Sequence, residues 1–302
     1  MTDDETMTLG FSSSRKAPYE IDRTALPEFK LFADACRHGL SVVYPFKSKI
    51  SADPFGWKFG SGWPPSYAAF GRMRSLLAVQ DALRLKPRRV LEVAAGGGGL
   101  AACLAEAGCV VVINDLLEDG TRAAINEYST GQRLQFIGGS LFALSPEQTG
   151  KFDLVIACEV IEHVAHPLEL LTHLREFLEP EGHILLTTPN GSYFRNQLPT
   201  FTEVDDFSAL ESRQFMPDAD GHLFLFTPRE LSDLVAAAGM RIERINCWGS
   251  PMLSGHSGFR FIAASGMVGV AYRVEQFVQR LSSGKREHIC TALSAILQRS
   301  SN

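Results

Sequence analysis

Short apolar runs alternate with helix-forming stretches between residues 89 and 189 of this 302-residue chain, and this alternation constrains the fold more than any other feature. The runs are uninterrupted and rich in Val, Ile and Leu, which is typical of strands buried on both faces of a parallel sheet. Helices between successive parallel strands cover both faces of such a sheet. The pattern therefore predicts a doubly wound α/β fold, with strands at residues 89–94, 109–115, 133–137, 152–158 and 183–189.

Further elements follow from capping signals and apolar periodicity. A helix is expected to begin at Pro167, because proline is favoured in the first helical turn, and to end before Pro180. A second helix is expected to begin after Thr227, whose hydroxyl can cap the first turn. Two strands, at residues 241–247 and 258–264, then complete a predicted sheet of seven strands.

Composition divides the chain into four segments. These are an acidic, then Ser-rich tail predicted to be disordered (1–16), an aromatic-rich N-terminal cap (17–80), the domain that contains the sheet (81–265, with a substrate-side insertion at 191–226) and a helical C-terminal extension (266–302). Aromatic side chains of the cap and the insertion are suited to lining a pocket. The candidates are Phe55, Trp57, Trp63, Tyr193, Phe194 and Phe224. Apolar and basic residues alternate in the C-terminal extension, which favours packing on the protein body or on a second subunit over peripheral membrane contact.

Charge and cysteine usage narrow the class of protein. The formal net charge is −5 and the pI is about 5.9, so a nucleic-acid partner is disfavoured because no overall excess of cations is available for phosphates. The six cysteines form no CxxC pair, which favours small buried hydrophobes over a metal or disulfide framework. The N-terminus lacks the apolar core of a secretory signal, and no apolar stretch approaches the roughly 18 residues of a spanning helix. A cytoplasmic location is expected.

A glycine-rich loop follows the first predicted strand of the sheet. Glu92 stands at the end of that strand, glycines occupy positions 96–99, and a helix-forming run follows at once. Glycines allow a tight turn and a close approach of the backbone to a ligand, and the helix N-terminus presents free N–H groups. Asp115 ends the second strand, where a carboxylate can accept both hydroxyls of a ribose. The two features together predict a nucleotide-type cofactor, although the loop alone would also suit a nicotinamide enzyme.

Two carboxylates and an imidazole follow the fourth predicted strand. Glu159, Glu162 and His163 are spaced i, i+3 and i+4, so a helical turn would place all three on one face. The turn lies at the carboxyl edge of the sheet, where doubly wound folds bind their ligands. Such a group can hold a divalent metal or remove a proton from a hydroxyl group.

Taken together, these motifs resemble the class I S-adenosylmethionine-dependent methyltransferases, with the Rossmann-like fold of that family, and are similar to the ubiquinone-biosynthesis O-methyltransferase group. The resemblance covers residues 89–239, including the run FDLVIACEVIEHVAHP at 152–167. It implies S-adenosylmethionine as the cofactor. The cofactor-binding residues that it implies are Glu92, Ala94, Gly96, Gly98, Asp115, Leu116, Ser140, Leu141 and Cys158. Ala94 replaces the usual first glycine of the loop, and Ser140 stands where an aspartate often meets the adenine amino group.

The same resemblance implies a metal site and a catalytic pair. The metal ligands would be Glu159, Glu162, His163 and the later His222, which precedes the helix that begins after Thr227. Mixed oxygen and nitrogen ligands suit Mg²⁺, Mn²⁺ or Zn²⁺. Glu162 and His163 are the expected catalytic residues, which would promote loss of the acceptor's proton.

Three functions are compatible with these patterns. The favoured function is methyl transfer to a hydroxyl of a small molecule such as a phenol, a quinone precursor, a sugar or another secondary metabolite. A second is methylation of the ribose 2′-hydroxyl of RNA, which the resemblance of the Glu159 to His163 segment suggests and the acidic charge disfavours. A third is a non-catalytic, cofactor-binding scaffold, suggested by the departures at Ala94 and Ser140.

Overall fold

An eight-stranded sheet forms the centre of the protein, as seen in a computed structural model that describes residues 19–38, 65–116, 133–214, 221–256 and 267–300. The strands are β1 (Ile21–Asp22), β2 (Arg89–Val93), β3 (Val110–Asp115), β4 (Leu134–Gly138), β5 (Phe152–Cys158), β6 (Leu178–Pro189), β7 (Met240–Trp248) and β8 (Ala292–Arg299). Their spatial order is β1-β7-β8-β6-β5-β2-β3-β4. All neighbouring pairs are parallel except those of β8, which runs antiparallel to β6 and β7.

Helices lie against both faces of this sheet. Those described are α1 (Phe29–His38), α2 (Pro65–Arg84), α3 (Gly99–Glu106), α4 (Pro146–Thr149), α5 (Pro167–Glu176), α6 (Pro228–Ala237), α7 (Pro251–Ser254), α8 (Val268–Val278) and α9 (Ser283–Ile289). The helix starts predicted at Pro167 and after Thr227 are confirmed. At the second start, the Thr227 hydroxyl accepts from the Glu230 amide at 3.2 Å and the Glu230 carboxylate accepts from the Thr227 amide at 2.7 Å.

The apolar core lies in layers on the two faces of the sheet. In β5, Val155 and Ala157 pack into one buried cluster, and Leu154 and Ile156 pack into another on the opposite face. Alternate residues of a strand point to opposite faces, so a strand covered on both sides needs an uninterrupted apolar run. The predicted doubly wound fold is therefore confirmed, and its strand pattern has this physical origin.

The C-terminal segment corrects the prediction of a wholly helical extension. Helices α8 and α9 are present, but residues 292–299 form β8 in the middle of the sheet. Residues 292–297 are all buried, and a short buried apolar run has no periodicity that separates strand from helix. The strand predicted at 258–264 lies outside the described residues.

The N-terminal cap and the insertion are tied to the sheet. Strand β1 pairs with β7 at the sheet edge. The eight strands of the described sheet are therefore six predicted strands together with β1 and β8, which the sequence did not predict. In the insertion, short 3-10 helices form at Phe201–Glu203 and Ser208–Arg213. Phe224 is fully buried among Phe201, Phe207 and Phe226, so the prediction that it lines a pocket is wrong. Phe55, Trp57 and Trp63 lie outside the described residues.

Among the described helices, none combines the length and the apolar character that crossing a membrane requires.

The central position of β8 predicts a large loss of stability when its packing is cut. Leu297 is fully buried and pairs with Ile184 of β6 and Ile242 of β7. Leu297→Ala should lower the free energy of unfolding by about 2 to 5 kcal/mol, because the cavity removes contacts on a strand that has neighbours on both sides. Urea denaturation measures this change, with the exposed Ser300→Ala as the control. A loss below about 1 kcal/mol would show that β8 is not an integral strand.

Candidate active site

Polar side chains gather where the parallel strands β2, β3, β5 and β6 end. Glu92 and Asp115 belong to the ends of β2 and β3, and Glu159 directly follows β5. Thr187 and Thr188 lie near the end of β6 and donate to the carboxylates of Glu159 and Glu162, each at 2.9 Å. The buried middle parts of these strands are apolar, and their ionisable side chains gather at the carboxyl edge of the sheet.

The glycine-rich loop after β2 adopts a left-handed backbone at alternate residues. Ala94, Gly96 and Gly98 have φ angles of 50°, 53° and 65°. Glycine adopts this conformation freely, whereas alanine is disfavoured there by about 1 kcal/mol. The Gly96 amide donates to Asp115 Oδ2 at 2.7 Å, so the loop is held to the acid at the end of β3. The loop and the acid therefore form one site, and Ala94 adopts the left-handed backbone that glycine adopts freely.

Glu92 is a buried acid beneath this loop. Its side chain is 6% exposed, and its Oε2 atom has no hydrogen-bond partner among the described residues. Burial, together with the nearby charge of Asp115, raises the pKa of Glu92 to about 8, despite a hydrogen bond from the Ala101 amide. A buried carboxyl group without a full set of partners destabilises the fold. The Oε2 atom of Glu92 can accept a hydrogen bond from a cationic or hydrogen-bond-donating ligand that binds beside the loop.

The turn after β5 differs from the helical turn that the spacing predicts. Glu159 has a left-handed φ of 55°, and a 3-10 helix follows only at Ile161–His163. The Glu159 carboxylate turns toward helix α2, where it forms an ion pair with Arg74 at 2.6 Å. The expectation that Glu159, Glu162 and His163 share one helical face is therefore wrong. A strained conformation of a non-glycine residue persists only when its surroundings fix it, as Arg74 and Thr187 do here.

Glu162, His163 and His222 form the compact cluster. Their donor atoms lie within 4.8 Å of one another. Glu162 is fully buried, and its Oε1 atom lies 3.9 Å from both His163 Nε2 and His222 Nε2, without a hydrogen bond in the described part of the chain. The Leu223 amide donates to the Glu162 carbonyl at 2.8 Å, which fixes the segment of His222 against the 3-10 helix. His163 and His222, which are 59 positions apart in the sequence, therefore lie in one site.

The protonation of this cluster follows from its surroundings. His163 Nδ1 lies 3.0 Å from the Gly221 carbonyl, which only accepts, so Nδ1 carries the proton and Nε2 offers its lone pair. Burial lowers the pKa of His163 below its usual value, so the ring is neutral near pH 7. Burial first, and then the charge of Glu159, raises the pKa of Glu162 well above its usual range. The cluster therefore offers one nitrogen base, at His163, and one carboxyl group that favours its neutral form, with the His222 imidazole beside them.

Arg74 is a site residue that the sequence did not reveal. Its guanidinium is close enough to Cys158 and Glu162 to oppose the rise in pKa that burial causes at both groups. It thus contributes positive charge to an edge that carries four carboxyl groups. No motif marks it, because Arg74 lies in a helix of the cap, far in sequence from the strand ends.

The other predicted cofactor residues lie along the same edge. Leu116 and Ser140 are exposed, directly after β3 and near the end of β4, and Leu141 begins a 3-10 helix. The Gly139 amide donates to the Asp115 carbonyl at 3.0 Å, which holds the Ser140 segment beside Asp115. Cys158 ends β5, and burial raises the pKa of its thiol to about 12, so the thiol stays protonated at neutral pH.

Comparison with known proteins gives consistent matches. Residues 67–245 match the sequence model of a family described as a methyltransferase domain. The chain is 28% identical over 170 residues to the ubiquinone biosynthesis O-methyltransferase of Xanthomonas euvesicatoria pv. vesicatoria (strain 85-10), which covers 56% of this chain and 69% of that protein. It is 33% identical over 113 residues to the protein of the same name from Dechloromonas aromatica (strain RCB), covering 37% and 49%. A solved structure from Galdieria sulphuraria, assigned as a sarcosine dimethylglycine methyltransferase, has a TM-score of 0.51 at 12% identity, covering 84% and 91%, and shows likeness of fold alone.

The raised pKa of Glu92 predicts a pH-dependent cost of burial. The pKa of Glu92 rises from 4.5 to about 8 on folding. Below pH 4.5 the group is protonated in both states and does not lower the free energy of unfolding. As the pH rises from 4.5 toward 8, the unfolded state loses this proton first, and the free energy of unfolding falls. Glu92→Gln removes the titration and should stabilise the ligand-free protein by about 2 kcal/mol at about pH 8.5, and by much less at about pH 5.5. Thermal unfolding at the two pH values measures the difference, and an equal effect at both would contradict the prediction.

Proposed function

This chain belongs to the methyltransferase-domain family and is an S-adenosylmethionine-dependent methyltransferase, and from that premise we propose that it methylates a hydroxyl group of a small molecule, with a phenol as the favoured acceptor. The observation that carries the proposal is the cluster of Glu162, His163 and His222 at the same strand edge as the glycine loop and Asp115. Relatives named for ubiquinone biosynthesis support an O-methyl transfer to a small molecule.

The residues of the loop fit the cofactor. S-adenosylmethionine supplies an electrophilic methyl group on a sulfonium and carries an ammonium, a carboxylate and two ribose hydroxyls. Asp115 would accept from the ribose hydroxyls, and the unpartnered Oε2 of Glu92 would accept from the ammonium. Arg74 would meet the carboxylate, because it places a guanidinium near the end of β5. In this arrangement an acid would face the cofactor's ammonium and a guanidinium would face its carboxylate.

The cluster after β5 would handle the acceptor. Displacement at a sulfonium methyl needs little covalent help, so the protein's main task is to hold the acceptor oxygen in line with the methyl group. The acceptor hydroxyl must also lose its proton. His163 Nε2, neutral and unprotonated near pH 7, would take that proton, and Glu162 would orient the ring and the acceptor through its buried carboxyl group.

The same three residues fit a divalent metal. A neutral imidazole fixed by a carbonyl at Nδ1, a second imidazole and a carboxylate oxygen without a partner are ligand types found at Mn²⁺ and Zn²⁺ sites. The resemblance also implies Glu159 as a ligand. The proposed ligand set does not include it, because Arg74 and Thr187 contact its two carboxylate oxygens. When bound, such a metal would take the lone pair of His163 Nε2, and it would promote proton loss by lowering the pKa of the acceptor hydroxyl in place of proton removal by that nitrogen.

The two alternatives receive less support. Methylation of RNA needs cationic contacts to several phosphates, whereas the chain carries a net charge of −5 and its relatives are named for a small-molecule pathway. A non-catalytic scaffold does not fit the family assignment, and Ala94 keeps the left-handed backbone of the loop.

Methyl transfer from tritiated S-adenosylmethionine to catechol-type acceptors tests the function. With 3,4-dihydroxybenzoate as the acceptor probe, Asp115→Asn should raise the KM for S-adenosylmethionine about 10- to 100-fold, because it removes a charged acceptor of ribose hydrogen bonds. Asp153→Asn, at the opposite end of β5, is the control. Tight cofactor binding without transfer to phenols, catechols or sugars would refute hydroxyl methylation of small molecules.

Metal binding is a separate prediction. Titration calorimetry with MnCl₂ or ZnCl₂ should show one site in the wild type, and His222→Ala should weaken binding about 10- to 100-fold, because one of three protein ligands is lost. His166→Gln is the matched control, since His166 instead contacts Glu211 at 2.7 Å. Equal affinity of the wild type and the His222 variant would exclude this ligand set and leave the histidines as acid and base groups.

A further inference from the structure

A second polar group lies at the carboxyl edge, outside the cluster of Glu162, His163 and His222. Tyr193 follows the end of β6 and His256 follows helix α7, which comes after β7. Because β6 and β7 run in the same direction on either side of β8, both residues lie at the same edge as the proposed methyl-transfer site. The Tyr193 and His256 ring centroids are 5.4 Å apart.

Tyr193 is the unusual member of this group. Its side chain is only 5% exposed, and within the described ranges its hydroxyl has no hydrogen-bond partner. A buried hydroxyl without a partner is costly, and phenylalanine would fill the same space without that cost. The hydroxyl is therefore a candidate for a bond to a ligand rather than for packing.

The position of Tyr193 is fixed by a dense set of hydrogen bonds. Its amide donates to the Asn190 carbonyl at 3.2 Å, and the Asn190 amide group donates to the carbonyls of Glu287 and Cys290 at 2.6 and 2.7 Å. The Gly191 amide donates to the Phe226 carbonyl at 2.8 Å, which joins this turn to the segment that carries His222. These bonds fix the backbone of Tyr193 at the sheet edge that also carries the proposed methyl-transfer site.

The charges around Tyr193 indicate the chemistry of its ligand. Arg195 is exposed two residues beyond it, and burial first, then the charge of Arg195, lowers the pKa of His256, so this imidazole is neutral near pH 7. The nearby carboxylate of Glu287 accepts from the Ser192 hydroxyl at 3.0 Å. A phenol hydroxyl, a guanidinium and one nitrogen of a neutral imidazole can all donate hydrogen bonds, and a group of such donors suits an anionic oxygen ligand.

We propose that Tyr193, Arg195 and His256 form the acceptor-recognition subsite and bind a carboxylate substituent of the phenolic acceptor. This inference rests on the proposed function and specifies its substrate class as aromatic acids. The Tyr193 hydroxyl and the Arg195 guanidinium would each donate to the carboxylate, which would direct the acceptor's hydroxyl group toward His163.

Titration calorimetry of protein saturated with S-adenosylhomocysteine tests the subsite. The probes are 3,4-dihydroxybenzoate and its neutral amide, 3,4-dihydroxybenzamide. We expect the wild type to bind the acid at least about tenfold more tightly than the amide, because only the acid offers an anionic acceptor. Tyr193→Phe and Arg195→Gln should each reduce that preference about tenfold or to unity, whereas Arg88→Gln, an exposed arginine at the opposite edge, should leave it unchanged.

The outcomes separate the subsite from the proposed function. Equal binding of acid and amide by the wild type, a preference that survives both substitutions, or no binding of either probe would overturn the subsite. Transfer of a methyl group to the amide would then still support hydroxyl methylation. Unchanged affinity of each variant for S-adenosylhomocysteine shows that the variants are folded.

Discussion

Burial of both faces of the central strands confines ionisable chemistry to the strand ends. In the middle of β2 and β5, consecutive residues pack alternately into apolar clusters on opposite sides of the sheet, so a charged group is costly on either face away from the strand ends. The parallel alignment brings the ends of β2, β3, β5 and β6 to one edge. Glu92, Asp115, Glu159 and Glu162 gather there for this reason, and the loops that follow these strands position the remaining groups.

That edge is held in a state that is unfavourable for folding alone. Glu92 and Glu162 are buried carboxyl groups, each with an oxygen that has no partner in the described structure, and Ala94 and Glu159 adopt left-handed backbone conformations. Each feature costs of order 1 to 3 kcal/mol. They are tolerated because the surrounding strands, Arg74 and the two threonines fix the geometry, and their concentration at one edge is what a ligand-binding site requires.

Much of this arrangement could be predicted from the sequence. Uninterrupted apolar runs, a glycine loop and an acid at a strand end depend on local chemistry, so the fold and the relation between Gly96 and Asp115 were accessible. Strand β8 was not, because a short buried run of five apolar residues and Ser294 fits a strand or a helix equally well, and only the gap between β6 and β7 decides. The ion pair between Glu159 and Arg74 was not accessible either, because it joins a cap helix to a strand end, and spacing along one segment carries no information about such a partner.

Proton release on cofactor binding tests most directly the claim that this edge keeps a buried acid for a cationic cofactor. If Glu92 is protonated near pH 7 without ligand, then accepting from the cofactor's ammonium should expel its proton. Calorimetric titration with S-adenosylmethionine in buffers of different ionisation enthalpy should show release of more than roughly half a proton at about pH 7 in the wild type, and almost none in Glu92→Gln. Binding with equal proton release in both proteins, or no binding by the wild type, would contradict the account.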